Sequence, residues 1–162
     1  MAIEIRKTEA VAAYPKFYQL HMKLVGTAHS FHNDLEDVKY DVKEGEIVLK
    51  GTMEECWVIP EKKLAKYELR DGTPLTMEVL QSMNRDEWIP IQTRPVAPDT
   101  APTMVIRVPV SVIGDVTIER GDVLKVNRPG VDHGEGDVLC GVDTPWPWVV
   151  NGKVFNNTYV IK

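Results

Sequence analysis

Two segments of this chain are similar to each other, and that internal similarity constrains the fold more than any other feature of the sequence. The first is EGEIVLKGTMEECWVIPEKKLAKY, residues 44–67, and the second is EGDVLCGVDTPWPWVVNGKVFNNTY, residues 135–159. With Trp57 aligned on Trp148, a Glu-Gly pair stands thirteen residues before each tryptophan, and one inserted residue brings Tyr67 onto Tyr159. This order of turn, apolar and aromatic residues predicts an internal repeat, with two unrelated hairpins of similar alternation as the alternative.

Each copy predicts the same small β unit. A glycine turn leads into a buried strand, at residues 47–49 or 138–140, and a loop reverses the chain into the tryptophan strand. A short helix follows, which Pro60 begins in the first copy and Asn151 caps in the second. Because one such unit has too little core to fold alone, we expect two to share a core. The predicted fold is α+β and β-rich, with two related small β units and short helices forming one compact body.

The rest of the chain predicts how the two copies are divided. Residues 1–89 are expected to form a first β-rich half, with a helix near 74–83 that Thr73 caps and Pro74 begins. Four prolines fall within residues 90–102, which predicts a linker, and residues 103–162 would form the second half. Residues 8–30 fit a strand about as well as a short helix.

Charge and hydropathy limit the classes of partner. The 162 residues carry a net charge of −5 with acidic and basic residues interspersed, which argues against general nucleic-acid binding. No apolar run reaches the roughly 18–20 residues that a membrane helix needs, and the charged N-terminus is unlike a secretory signal. We therefore expect a cytoplasmic protein without membrane association, in which Cys56 and Cys140 are free thiols.

The second segment also resembles a known family ending. Residues 135–139, the run at 148–150 and the ending FNNTY at 155–159 look like the C-terminal pattern of short phage proteins called the PGDYG type, and residues 5–7 look like their usual opening. Both copies depart from the pattern, since Glu stands where the family has Pro and no Tyr follows the acidic residue. The resemblance implies a phage setting, with the host cytoplasm as location, and a compact β-rich fold. It implies no catalytic residues.

One cluster has the residue types of a metal site. His29, His32 and Asp34 could bind a transition metal through imidazole nitrogens and carboxylate oxygen. The two imidazoles share a face only if the segment is helical. A polar loop that carries histidines by chance is the favoured alternative.

Aromatic and arginine residues suggest a ligand site. An exposed Trp146, Trp148 or Trp88 could stack a base, while Arg107 and Arg128 could pair with a phosphate. This would suit a nucleotide-like ligand. The alternative is that Trp148 fills the core and the arginines are solvated.

Other catalytic patterns are weak. His133 stands between Asp132 and Glu135 and could act as a general base, although a solvated turn is the favoured interpretation. The sequence has no nucleophile elbow and no Gly-rich phosphate loop, so it indicates neither a catalytic residue nor a cofactor.

Three functions follow, in order of preference. The first is a non-enzymatic phage-type accessory protein that binds a host or phage protein, with self-association left open. The second is a binding protein that sequesters a small nucleotide-like ligand. The third is a metal-dependent enzyme that uses the His29, His32 and Asp34 cluster.

Overall fold

Short alternating runs bounded by Gly, Pro and Asp form a mainly β structure. The computed structural model describes residues 3–118, 121 and 123–161. The strands are β1 (Ile3–Ile5), β2 (Val11–Pro15), β3 (Gln19–Leu24), β4 (His29–Asn33), β5 (Val38–Val42), β6 (Ile47–Lys50), β7 (Cys56–Ile59), β8 (Tyr67–Leu69), β9 (Ile89–Thr93), β10 (Thr103–Arg107), β11 (Gly114–Ile118), β12 (Val123–Val126), β13 (Val138–Cys140), β14 (Trp148–Val150) and β15 (Tyr159–Ile161). The helices are α1 (Met77–Gln81), α2 (Gly152–Thr158) and the 3₁₀ helices Lys7–Glu9 and Glu61–Lys66. The predicted β-rich α+β class is confirmed.

The chain divides into two compact units. The split unit comprises Met1–Lys16 and Val96–Lys162, and the continuous unit comprises Phe17–Pro95. This division differs from the predicted halves, because β2 near the N-terminus pairs with β10 and β15 of the C-terminal part. Each unit has cores of its own.

The split unit is built on a five-stranded antiparallel sheet. Its strand order is β14-β13-β10-β2-β15. A second sheet has the order β1-β11-β12, in which β1 runs parallel to β11. Because neighbouring strand residues point to opposite faces, β13 contributes to two clusters. Phe155 of α2 packs with Val138 and Cys140 in one cluster, and Leu139 packs with Val116 and Ile118 in the other.

The continuous unit also has a five-stranded antiparallel sheet, in the order β7-β6-β3-β9-β8. Its main core joins Leu64 of the 3₁₀ helix and Leu80 of α1 to apolar residues of the sheet. The β4–β5 hairpin contributes Phe31 and Tyr40 to a second cluster, in which they pack with Val48.

Several predicted element boundaries need correction. The helix near 74–83 begins at Met77, and Thr76 caps it by accepting a hydrogen bond from the Val79 amide at 3.2 Å. Thr73 instead donates its amide to the Asp71 carboxylate at 2.9 Å, which holds that stretch in a turn. In contrast, Asn151 caps α2 as predicted, since its side chain accepts from the amides of residues 153 and 154.

The predicted linker at 90–102 is partly a strand. Pro90 lies within β9 and faces His21 of β3. Ile89 and Ile91 on either side are buried in the core, and their alternation outweighs the missing amide of the proline. Residues 8–30, left open between strand and helix, form β2 and β3 after the first 3₁₀ helix.

Within the described residues, the structure contains no helix that is both long and apolar enough to span a bilayer.

Candidate functional site

A buried polar network lies at the entrance to β13 in the split unit. Asp137 is almost fully buried, and its carboxylate lies 2.5 Å from Nδ1 of His133. The same carboxylate accepts hydrogen bonds from the amides of Asn127 at 2.8 Å and Gly152 at 3.2 Å. It thereby joins the β12 end, the turn before β13 and the start of α2.

Asn127 completes this network from a left-handed backbone conformation, with φ of 54°. Its side-chain oxygen accepts the Asp137 amide at 2.8 Å. Its side-chain nitrogen donates to the carbonyls of Val108, Pro109 and Val112. Every polar atom of this buried amide is therefore used in holding loops together.

His133 is a buried structural residue, whereas the sequence favoured a solvated turn, with a general base as the alternative. Nδ1 faces the Asp137 carboxylate and Nε2 lies 2.7 Å from the Arg128 carbonyl. Both ring nitrogens face acceptors, so both are occupied by hydrogen bonds within the protein. A histidine whose two nitrogens are engaged in this way has none free to take a proton from a substrate.

The predicted ligand arginines also take part in this part of the fold. Arg107 donates to the Gly136 carbonyl at 2.8 Å and to Oδ1 of Asn156 at 2.6 Å, and its guanidinium lies 5.5 Å from the Phe155 ring centroid. Nη2 of Arg128 is a buried nitrogen without a hydrogen-bond partner in the described part of the chain. Arg107 is thus committed to structure, whereas Arg128 is only partly satisfied.

Trp146 and Trp148 differ strongly in their surroundings. Trp148 begins β14, faces Cys140 across the sheet and is 43% exposed. A Cβ added at Gly141 would lie 2.4 Å from its ring, so the indole lies directly against that glycine. Trp146 lies in the preceding loop, outside the strand, and is 82% exposed.

The loop that carries Trp146 is held by one threonine. The Thr144 hydroxyl donates to the Gly141 carbonyl at 2.6 Å and accepts the Trp146 amide at 3.2 Å. The Thr144 amide also donates to the Gly141 carbonyl at 2.9 Å. The most exposed large apolar side chain of the unit therefore sits on an ordered turn.

Trp88 belongs to the continuous unit and is half-buried there. The ammonium groups of Lys23 and Lys50 lie 4.6 and 4.5 Å from its ring centroid. Trp88 also lines a shallow cavity of about 340 Å³ together with Met83, Glu87 and other neighbours of α1 and β9. The five predicted ligand residues are therefore divided between the units, four in the split unit and Trp88 in the continuous unit.

The predicted metal cluster lies on a strand. His29 and His32 are three residues apart in β4, which directs their side chains to opposite faces of the hairpin. His32 instead lies between two carboxylates, at 2.7 Å from Asp34 and 3.0 Å from Asp37. The hydrogen bond to Asp34, followed by that to Asp37, raises the pKa of this exposed imidazole. A search of the described residues finds no group of three side chains that could hold a metal.

The cysteines are free thiols, as predicted. Burial raises the pKa of the Cys140 thiol to about 12. Burial also raises the pKa of Cys56, against the opposing effect of Lys50 and Lys23. Neither thiol is activated as a nucleophile.

Sequence reasoning missed the lysines at Trp88 and the network around Asp137. Lys23 and Lys50 are 27 positions apart and meet only because β3 pairs with β6. The polar run at residues 132–137 was visible, but only burial distinguishes a structural network from a solvated turn.

Comparison with protein-family models, curated proteins and solved structures finds no match to this chain.

Proposed function

We propose that the protein is a non-enzymatic binding protein that recognises a protein partner through Trp146 and Trp148 of the split unit. The observation that carries this proposal is the 82% exposure of Trp146 on an ordered turn. Tryptophan is the residue type most enriched at interface hot spots, where it inserts into a pocket of the partner. An indole left in water costs free energy that such a pocket would recover.

The order of the Trp146 turn supports the same proposal. Since Thr144 already fixes the backbone before binding, little further conformational entropy is lost on docking. Trp148 packs on Gly141 and supports the base of the turn. The partner that this surface fits presents an apolar pocket about the size of an indole.

Catalysis receives no comparable support. His133 has both nitrogens engaged, and His29 and His32 lie on opposite faces of a strand. A nucleotide-like ligand in the split unit is also less favoured, because Arg107 already donates to Gly136 and Asn156. The phage setting rests on the sequence resemblance alone.

We also infer that the two units are copies of one β unit. Both sheets have five antiparallel strands, and β7, β6, β3, β9 and β8 match β14, β13, β10, β2 and β15 in order. Cross-strand partners correspond as well, since Trp57 faces Leu49 where Trp148 faces Cys140. Leu64 and Phe155 are each a buried apolar residue of the helix that follows, as the repeat requires.

The correspondence extends to strands that the sequence repeat did not include. The amide of Val25 donates to the Glu46 carbonyl, and the amide of Val108 donates to the Asp137 carbonyl, in both cases just after the central strand. The two strands beside the central strand, β9 and β2, match in position within the sheets. Along the chain, β9 follows β8 in the continuous unit, whereas β2 precedes β10 in the split unit. In chain order, β2 precedes β3, β6, β7 and β8, and β9 precedes the four strands that match them. A tandem duplication in which β2 and β9 are exchanged between the two sheets would account for this order.

The test of partner binding compares two exposed apolar residues of the split unit. Baits carrying Trp146→Ala or Ile113→Ala are used beside the unchanged protein in affinity capture from the source cell, with quantitative mass spectrometry. Ile113 is 60% exposed and serves as the matched control. We expect a partner that the unchanged protein and the Ile113 variant capture, and that the Trp146 variant loses by about tenfold or more.

Equal capture by all three baits would contradict the proposal. Thermal unfolding of each bait is measured in parallel, because removal of an exposed side chain is expected to change stability by less than about 0.5 kcal/mol. Sedimentation of the purified protein shows whether the captured partner is a second copy of this chain.

A further inference from the structure

Two lysines converge on one aromatic ring in the continuous unit. The ammonium groups of Lys23 and Lys50 lie 4.6 and 4.5 Å from the centroid of Trp88. They are therefore no farther from each other than the sum of these two distances. All three side chains are half-buried, on the sheet face that is opposite the main core.

In the described part of the chain, no carboxylate lies in ion-pair contact with either lysine. Among residues 3–118, 121 and 123–161, neither ammonium group forms an ion pair. Asp86 is close enough to feel the Lys23 charge, but its carboxylate accepts the amides of Gly26 and Thr27. The local positive charge is therefore left for something else to neutralise, in a protein of net charge −5.

A neighbouring histidine responds to the same positive charge. Burial, followed by Arg70 and Lys50, lowers the pKa of His21. His21 faces Lys50 across the β3–β6 pair, on the same side of the sheet. Lys50 therefore adds to the positive potential at His21, although burial is the larger cause of the shift.

The fold itself does not require lysines here. Lys23 faces Val48 in the continuous unit, and at the same sheet position in the split unit Ile106 faces Leu139. Ile106 is buried in an apolar cluster. An apolar residue therefore serves this position when only packing is needed.

We propose that Lys23 and Lys50, beside the Trp88 ring that both contact, form a binding site for a small phosphate-bearing anion. The anion lies against the two ammonium groups and accepts their hydrogen bonds, and it removes the repulsion between them. Both ammonium groups already contact the Trp88 ring, so this site recognises the phosphate group and not a stacked base. The site is independent of the partner surface at Trp146.

The test is a titration with inorganic pyrophosphate at constant ionic strength, followed by the indole N–H signals in a ¹H–¹⁵N spectrum. The chain has four tryptophans, so four signals are expected, and the Trp88→Phe variant identifies one of them. We expect the Trp88 signal to shift in a saturable way while those of Trp57 and Trp146 stay in place. A non-saturable drift, or equal shifts of all signals, would overturn the site.

Charge-matched variants complete the test. Lys23→Gln with Lys50→Gln removes the pair, and Lys62→Gln with Lys63→Gln removes two exposed charges of the same unit. We expect the first variant to weaken pyrophosphate binding by at least about tenfold and the second by less than about twofold. Equal weakening in both variants would show that net charge alone, not this site, attracts the anion. Because Gln keeps only part of the lysine stem, the fold of the first variant is checked by the positions of its unperturbed signals.

Discussion

The turns that precede β13 in the split unit and β6 in the continuous unit align with each other but are stabilised by different interactions. In the split unit, Asp137 is buried and bonds to His133 and to two backbone amides. In the continuous unit, the aligned Glu46 is half-buried, and its carboxylate accepts the Lys43 amide at 2.7 Å. The aligned position of His133 is Val42, which packs in an apolar cluster. One sheet register is therefore compatible with either a polar network or an apolar packing beneath this turn.

This difference distinguishes the features that both units share, which are strand order and register, from the buried polar network that only the split unit has. The strand order and the strand register are the same in both units, although only the split unit has the buried network. The order and the register therefore do not depend on that network. A buried network is costly when one member is removed, because the remaining polar groups lose their partners inside the protein. Replacement of a polar residue in the turn before β13 should therefore lower the stability of the split unit more than replacement of the aligned residue lowers that of the continuous unit.

The largest effect is expected at Asp137. Asp137→Ala leaves His133 and the amides of Asn127 and Gly152 without their acceptor, which should lower the free energy of unfolding by about 3–5 kcal/mol. Glu46→Ala removes one hydrogen bond at a half-buried position and should cost about 1 kcal/mol or less. Urea unfolding measures both. Similar losses at the two positions would remove the distinction between the two turns.

The next effect concerns the glycine of each Glu-Gly pair. A Cβ at Gly136, where φ is 126°, would lie 1.9 Å from the Val108 carbonyl oxygen, whereas a Cβ at Gly45 would meet nothing within 4 Å. Gly136→Ala should therefore cost about 3 kcal/mol through both clash and backbone strain. Gly45→Ala should cost only the strain of its positive φ, about 1–2 kcal/mol. Thermal unfolding measures the stability of both variants. A Gly45 variant as unstable as the Gly136 variant would contradict the close approach of Gly136 to the Val108 carbonyl.

The aligned tryptophans should differ less. Trp57 packs against the main core of the continuous unit, while Trp148 is 43% exposed. Trp57→Ala should cost about 3 kcal/mol and Trp148→Ala about 1–2 kcal/mol in urea unfolding. Reversal of this order would mean that Trp148 contributes more packing than its exposure indicates.

The smallest effect is the titration of His32. Asp34 and Asp37 raise its pKa above the usual value of about 6.5. A raised pKa in the folded state stabilises the protein at low pH, and this contribution is lost as the pH rises through the folded pKa. Asp34→Asn should lower the His32 pKa in an NMR titration. An unchanged His32 pKa would show that the contact does not persist in solution.

Local sequence patterns predicted the elements that local interactions determine. The strand, loop and helix of the second copy follow from alternation around Trp148, the cap at Asn151 and the buried Phe155. The free thiols were predicted from the expected cytoplasmic setting and not from a local pattern. The helix start was misplaced because Thr73 and Thr76 both offer a cap, and only the turn at Asp71 decides between them.

Long-range pairing was beyond the sequence. Strand β2 pairs with β10 and β15, which are roughly ninety and more residues away, so the composition of residues 11–15 carries no sign of its partners. The same limit applies to the candidate sites. The contact of Lys23 and Lys50 with Trp88 depends on strand pairing, and the occupation of His133 depends on burial.

Both units contain a five-stranded sheet with the same strand order, in which the strand next to the central one is β9 in the continuous unit and β2 in the split unit. These two strands occupy different places along the chain relative to their partners. Cross-strand nuclear Overhauser effects measure this directly at one residue pair in each unit. We expect contacts between Ala13 and Ile161 and between Ile91 and Leu69. Observation of the second contact without the first, with residues 11–15 paired elsewhere, would contradict this shared strand order.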